Sequence, residues 1–190
     1  MRIKRKAPFI GAFLLIKITI IQTGDIMNDI LSWDNYFMSI AKIASLRSKD
    51  PNTKVGAVLV DSSHHIVGTG YNGFPSGVDE SQLPINREGD FLSTKYPFIV
   101  HAEINCILNT TVLSLKDTTL YCSLFPCNEC TKAIIQKGIK EVVYLEDKYH
   151  NEDAYIASRK LLDLAGVQYR QLQNFSIEIP DAFNNYGIGV

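Results

Sequence analysis

A histidine, a glutamate and two cysteines stand in a pattern that chemistry can use. His101 and Glu103 lie in Val100-His101-Ala102-Glu103, and Cys127 and Cys130 form a Cys-x-x-Cys pair that follows Pro126. One imidazole nitrogen and two sulfurs are a donor set that zinc accepts, and three protein ligands leave a fourth position for water. A zinc ion would lower the pKa of that water toward neutrality. Glu103 is not needed as a ligand and is placed to handle protons. A catalytic zinc site with its own acid/base is the simplest reading. A buried histidine and two core cysteines are the plain alternative, which leaves the His-x-Glu and Pro-Cys-x-x-Cys spacings unexplained. Cys106 and Cys122 fall on a helix and within a strand, where buried packing is expected of them.

The elements around these residues must bring them together. Residues 101–109 read as a short helix, with Ala102, Cys106 and Asn109 on one face and Glu103 and Ile107 on another. Pro126 suits the first turn of a second helix running to about Lys137 and stopped by Gly138. Three ligands then sit at two helix N-termini, whose partial positive charge favours thiolate over thiol. Cysteines three apart on a helix face nearly the same way.

Upstream, Trp33, Tyr36, Phe37, Ile40 and Ala44 form the apolar stripe of a helix capped by Ser32, or opened earlier by Asn28 or Asp29, and ending near Ser48, before Asp50-Pro51. Val55–Val60 and Ile66–Tyr71 read as an antiparallel hairpin whose turn carries His64 and His65. Residues 119–124, 141–145 and 167–172 read as strands, with a helix at 154–164 closed by Gly166. Strands and helices alternating with short connections make parallel strands with right-handed crossovers. The expected fold is α/β, a three-layer α-β-α sandwich around a five-stranded mixed sheet. The polar stretch 79–94 is expected to be an exposed insertion whose charges are solvated.

Composition narrows the function. The chain has 190 residues, with 19 basic and 20 acidic side chains and a net charge of -1. That balance lacks the basic excess of a nucleic-acid binder. Four cysteines in this length do not make a disulfide scaffold, and two of them form Cys-x-x-Cys, so a reducing compartment and metal ligation fit better. Arg2, Lys4, Arg5 and Lys6 precede an uncharged run from Ala7 to Ile16, broken by Lys17. It resembles a signal peptide but lacks a small-x-small cleavage site, and it is too short to span a bilayer. Residues 1–26 are therefore read as an extension outside the fold, 27–173 as the domain and 174–190 as a tail, with Met27 as an alternative start.

The motif His-x-Glu followed by Pro-Cys-x-x-Cys is a signature of zinc-dependent nucleobase deaminases, and the chain resembles the cytidine/deoxycytidylate deaminase superfamily. The likeness extends to Arg47-Ser48-Lys49-Asp50-Pro51, Gly70-Tyr71-Asn72-Gly73, Lys95-Tyr96-Pro97, the 124–130 segment, the 138–144 segment and Asp147-Lys148-Tyr149-His150. Together these look like the deoxycytidylate (dCMP) deaminase family, over roughly residues 30–171. Cys106 stands where the family usually has alanine.

The resemblance implies hydrolytic attack at C4 of the cytosine ring, with Glu103 protonating N3 and then the departing amine, releasing ammonia and dUMP for thymidylate synthesis. It implies that His101, Cys127 and Cys130 hold zinc, that Asn72 contacts the sugar, and that the backbone at Ala102 holds the base. Tyr149 and the Lys49–Lys54 loop become candidates for a phosphate of substrate or effector. It also implies a homo-hexamer in the cytoplasm, activated by dCTP with Mg2+ and inhibited by dTTP, with no membrane or nucleic-acid partner. Two rivals stand beside it. A tRNA adenosine deaminase shares the zinc motif but needs a basic face. A non-catalytic zinc module usually closes the metal with a fourth protein ligand.

Overall fold

The computed structural model describes residues 30–177, so the expected extension 1–26 and all but the first residues of the 174–190 tail lie outside the described residues. The elements, in order, are α1 (Trp33–Ser45), β1 (Gly56–Val60), β2 (Ile66–Tyr71), α2 (Ala102–Leu108), β3 (Thr119–Leu124), α3 (Asn128–Gln136), β4 (Glu141–Glu146), α4 (Asp153–Ala165) and β5 (Gln168–Gln171). The strands make one five-stranded sheet in the order β2-β1-β3-β4-β5. β1 pairs antiparallel with β2 and β3, while β3, β4 and β5 run parallel. This is the expected mixed sheet.

Side chains alternate across the sheet because successive residues of a strand point to opposite faces. Ala57, Leu59, Leu120, Cys122, Val142 and Tyr144 join one core, which α2, α3 and α4 cover through residues such as Cys106, Ile134 and Leu162. Val58, Val60, Tyr121 and Val143 join the other, covered by Phe37, Met38 and Ala41 of α1. The three-layer arrangement thus follows from β1, β3 and β4 being apolar on both faces. The chain stays useful past residue 173, since Phe175 packs against the α1-side core.

α1 differs from expectation in two ways. Trp33 and Tyr36 are exposed, and the buried face runs through Phe37, Met38, Ala41 and Ser45. The C-terminal half of that face is small because β1 approaches closely there: a Cβ on Gly56 would lie 1.9 Å from the Ala41 carbonyl oxygen and 2.6 Å from Ser45 N. Trp33 instead stacks on His64 of the β1–β2 turn, with ring centroids 4.2 Å apart. The α-helix also stops at Ser45, because Leu46, Arg47 and Ser48 donate to carbonyls three residues back, the tighter turn common at helix ends. Pro126 lies before the N-cap of α3 rather than inside its first turn, since Cys127 itself is the cap.

The element that carries His101 and Glu103 is anchored against β2. The Asn105 side-chain amide donates to the Tyr71 carbonyl at 2.8 Å and that of Asn109 to Thr69 at 3.3 Å, satisfying acceptors along an edge strand. Gly70 permits the approach, for a Cβ there would meet Cys106 N at 2.3 Å and Ala102 O at 2.4 Å. Both are backbone atoms that cannot swing away. Gly70→Ala is expected to cost about 3 kcal/mol or more, the upper range for overpacking. Denaturant unfolding checks this, and an unchanged midpoint would contradict the close packing of α2 on β2.

Candidate active site

Two loop-to-helix junctions deliver the three ligands. His101 is the N-cap of α2 and Cys127 the N-cap of α3, both with extended backbone. Cys130 sits one turn into α3. The His101 Nδ1 lies 3.4 Å from the Cys127 Sγ and 3.4 Å from the Cys130 Sγ, and all three donor atoms lie within 4.8 Å of one another. Donors about 2.0–2.3 Å from a tetrahedral zinc stand some 3.5 Å apart, so the trio fits that metal as it stands. Among the described residues no fourth His, Cys or carboxylate joins the group, which argues against a closed structural site.

In the metal-free protein, hydrogen bonding to Cys127 raises the His101 pKa to about 9, against the opposing effect of burial. A hydrogen bond from Cys130 is the largest of the influences that lower Cys127 to about 4. Cys130, bonded to that neighbour and buried, is pushed well up. The site is thus poised as a thiolate beside an imidazolium and a thiol, and zinc would displace the remaining protons. By contrast, burial first, with the charge of Glu103 adding to it, holds Cys106 up at about 12 and Cys122 well up, in keeping with packing roles.

Glu103 is 4% exposed, and burial raises its pKa above the usual carboxylate range, with His101 pulling the other way. A carboxyl group whose pKa burial raises, beside a metal site, is suited to both taking and giving a proton. Glu103, His101 and Cys127 face a cavity of about 640 Å³, large enough for a nucleotide-sized ligand.

The other sequence-derived candidates divide. Asn72, Ala102 and Tyr149 line the same cavity. The Asn72 amide is already engaged, its oxygen accepting from Val55 N at 2.8 Å and its nitrogen donating to Thr53 O at 2.9 Å and to Asp50 Oδ2 at 3.4 Å. That network fixes which way the amide points. Lys49 and Lys54 are not brought to the cavity. Lys49 is turned outward and paired with Glu80 at 3.2 Å, and Lys54 is exposed.

Several lining residues escaped the sequence reading. Asp50 and Lys95 form a buried ion pair at the cavity wall. Asp50 also accepts from Asn52 N and Thr53 N, so it shapes the loop that Asn72 braces. Arg87 and Phe91 come from the 79–94 stretch, which was expected to be surface only, and Tyr155 comes from α4. Nothing in local spacing signals these residues. Asp50 and Lys95 each sit inside a motif quoted for the resemblance, the clue that could have found them.

The fold and this ligand trio define a zinc-dependent deaminase. The family model for the cytidine and deoxycytidylate deaminase zinc-binding region matches residues 31–146. Deoxycytidylate deaminase of Pongo abelii is 50% identical over 145 residues, 76% of this chain and 82% of that protein. The Homo sapiens enzyme is 49% identical over the same length. The dCMP deaminase of cyanophage S-TIM5, solved in complex with dCMP and dUMP, superposes with a TM-score of 0.58 at 30% identity, covering 72% of this chain and 94% of that one. The chain belongs to the cytidine and deoxycytidylate deaminase family.

Proposed function

We propose that this protein hydrolyses dCMP to dUMP and ammonia. The observation that carries the reading is a three-ligand zinc site opening, beside the buried Glu103, into one nucleotide-sized cavity. His101, Cys127 and Cys130 would hold the zinc, which supplies the Lewis acidity that makes a water nucleophilic near neutral pH. Glu103 takes the proton released by that water. It delivers that proton to N3 of the cytosine ring as C4 is attacked, takes the second proton from the hydroxyl now bonded to C4, and passes it to the amine as the C4–N bond breaks. Overall, one water is consumed and one ammonia leaves. Burial of Glu103 excludes the bulk water that would otherwise compete for these protons.

The remaining assignments rest on the resemblance and on lining position. Asn72, whose amide nitrogen is committed to Thr53 and Asp50, contacts the sugar through the remaining acceptor capacity of its oxygen. The first-turn backbone of α2 at Ala102, whose N–H groups have no partner within the helix, meets the base. Tyr149 stands at the phosphate end. The wider reading is a cytoplasmic hexamer activated by dCTP with Mg2+ and inhibited by dTTP, with residues 27–173 as the functional domain. Among the described residues no helix is long and apolar enough to cross a membrane.

Steady-state kinetics on dCMP, CMP and deoxycytidine test the substrate. dCMP is expected to exceed deoxycytidine in kcat/KM by on the order of a hundredfold, the worth of a charge-assisted phosphate contact. Equal or better use of deoxycytidine would move the protein to the nucleoside deaminases. Equal use of CMP would mean the sugar pocket tolerates a 2′-hydroxyl. The same assay with dCTP or dTTP added, alongside sedimentation, tests regulation and assembly. Hyperbolic kinetics indifferent to both nucleotides would remove the effector reading.

A further inference from the structure

Two junctions wall the cavity on the side of α3 and α4. They leave the ends of the adjacent parallel strands β3 and β4, the place where open α/β sheets receive ligands. The junction after β3 contributes Phe125 and the ligand Cys127, and the junction after β4 contributes Tyr149 and leads into Tyr155 of α4. The first is anchored by burial, since Phe125 is in the core and its N–H donates to the Glu146 carbonyl at 2.8 Å. The second has no such anchor. Its residues 147–153 are polar apart from Tyr149 and mostly exposed, so apolar packing does little to hold it.

Arg159, in α4, supplies the hold from behind the wall. Its Nη1 donates to the His150 carbonyl at 3.1 Å and to the Tyr155 carbonyl at 3.1 Å. Its Nη2 donates to the Asp147 carboxylate and lies 2.8 Å from His150 Nδ1. The guanidinium carbon stands 4.5 Å from the centroid of the Phe125 ring, within the range of a cation–π contact. One side chain thus joins both junctions. Asp147 depends on it. Its Oδ1 is buried without a hydrogen-bond partner among the described residues, so the pairing of the carboxylate rests on Oδ2, which faces Arg159 and His150.

We propose, resting on the deaminase reading above, that Arg159 is a positioning residue for the reaction: it clamps the β4–α4 loop onto Phe125, so that the wall carrying Tyr149 and Tyr155 is in place before substrate arrives. A planar guanidinium can bond two carbonyls and a carboxylate along its edge while its face rests on a ring, which a lysine cannot reproduce. A wall already in place spares the substrate the cost of ordering it. Without Arg159 the Asp147 carboxylate is left buried and poorly paired, a state that is strongly unfavourable, and it leaves for water with the loop attached. The clamp acts on the wall as a whole, so its loss weakens nucleotide and nucleoside alike and leaves the zinc site and Glu103 untouched.

The test compares Arg159→Gln, Asp147→Asn and the double variant with the unaltered protein, each checked first for zinc content and circular dichroism. In Arg159→Gln the KM for dCMP and that for deoxycytidine are expected to rise together by roughly ten- to a hundredfold, with kcat within about threefold and zinc content unchanged. Asp147→Asn, which breaks the pair without leaving a buried carboxylate behind, is expected to raise both KM values by a smaller factor. The double variant is expected to recover part of the loss seen in Arg159→Gln, since the stranded charge is gone. Amide exchange at residues 147–152 is expected to quicken in Arg159→Gln and to stay as it was in β3 and β4. Lys160→Gln, at an exposed position of α4, is expected to match the unaltered protein. KM values unchanged in both single variants, a loss confined to kcat and zinc content, or exchange unchanged at 147–152 overturns the assignment. An unaltered protein that deaminates neither substrate overturns the deaminase reading, while the exchange result still decides whether Arg159 holds the loop.

Discussion

Glu103→Ala is expected to keep the fold and the zinc and to lose turnover of dCMP by about a thousandfold or more, within the range for removing a positioned acid/base. The effect should be large because no other group of the site can substitute. Among the described residues, the remaining titratable side chains within the metal cluster are the ligands themselves, and their protons are displaced when zinc binds. The loss should fall on kcat more than on KM, since the carboxyl acts on protons in flight rather than on the ground-state complex. Stability should not suffer, because the carboxylate is buried at a cost that its removal relieves. Glu103→Gln keeps the shape of the side chain without its proton chemistry, so it should fail equally. Zinc quantified per chain, together with single-substrate kinetics, checks both variants. Near-normal turnover in either would remove Glu103 from the mechanism.

Cys130→Ala is expected to lose zinc and activity together. The thiol, carried on the first turn of α3, is fully buried and 3.4 Å from His101 Nδ1, so water cannot easily take its place as a third donor. Structural zinc sites bind with apparent free energies of about 10–16 kcal/mol. Divided over four positions, one ligand is worth about 2.5–4 kcal/mol, a loss on the order of a hundred- to a thousandfold in zinc affinity. The metal also ties the first residues of α2 to those of α3, two helices joined by a long stretch of chain. Anything that binds only the folded state adds to its stability, so the variant should unfold at lower temperature than the zinc-loaded protein and approach the chelator-treated one. Cys106→Ala is the matching control, because that thiol packs in the core and points to no metal. A Cys130→Ala protein with full zinc occupancy would show that the ligand set has been misassigned.

What sequence could reach, and what it could not, divides along a physical line. β1, β3 and β4 were legible because runs of buried apolar residues bounded by turns have few alternatives. The zinc trio was legible because metal ligation constrains residue type and spacing within a few positions. The burial of Trp33 and Tyr36 was misread for the opposite reason. Helical periodicity counts large apolar residues, whereas the face of α1 that meets the sheet is set by the close approach of Ala41 and Ser45 to Gly56, which turns Phe37 and Met38 inward and leaves Trp33 and Tyr36 outside. The cavity wall was largely illegible. Asp50 and Lys95 are 45 positions apart in the chain, and a buried ion pair between them leaves no local pattern. Arg87 lies in a polar stretch whose composition says only that it is solvated, and the long connection from β2 to α2 is what carries it to the site. Lys49 and Lys54 drew attention through motif position, yet the turn after α1 aims them outward.

The central claim is that this chain deaminates dCMP through a zinc site made of His101, Cys127 and Cys130. Formation of dUMP and ammonia from dCMP by the purified protein, followed before chelation, after chelation and after zinc is restored, tests it most directly. The account predicts stoichiometric dUMP and ammonia, abolished when zinc is stripped and recovered when it is returned. Activity that survives complete removal of zinc, or a zinc-loaded protein that leaves dCMP unchanged, would contradict it.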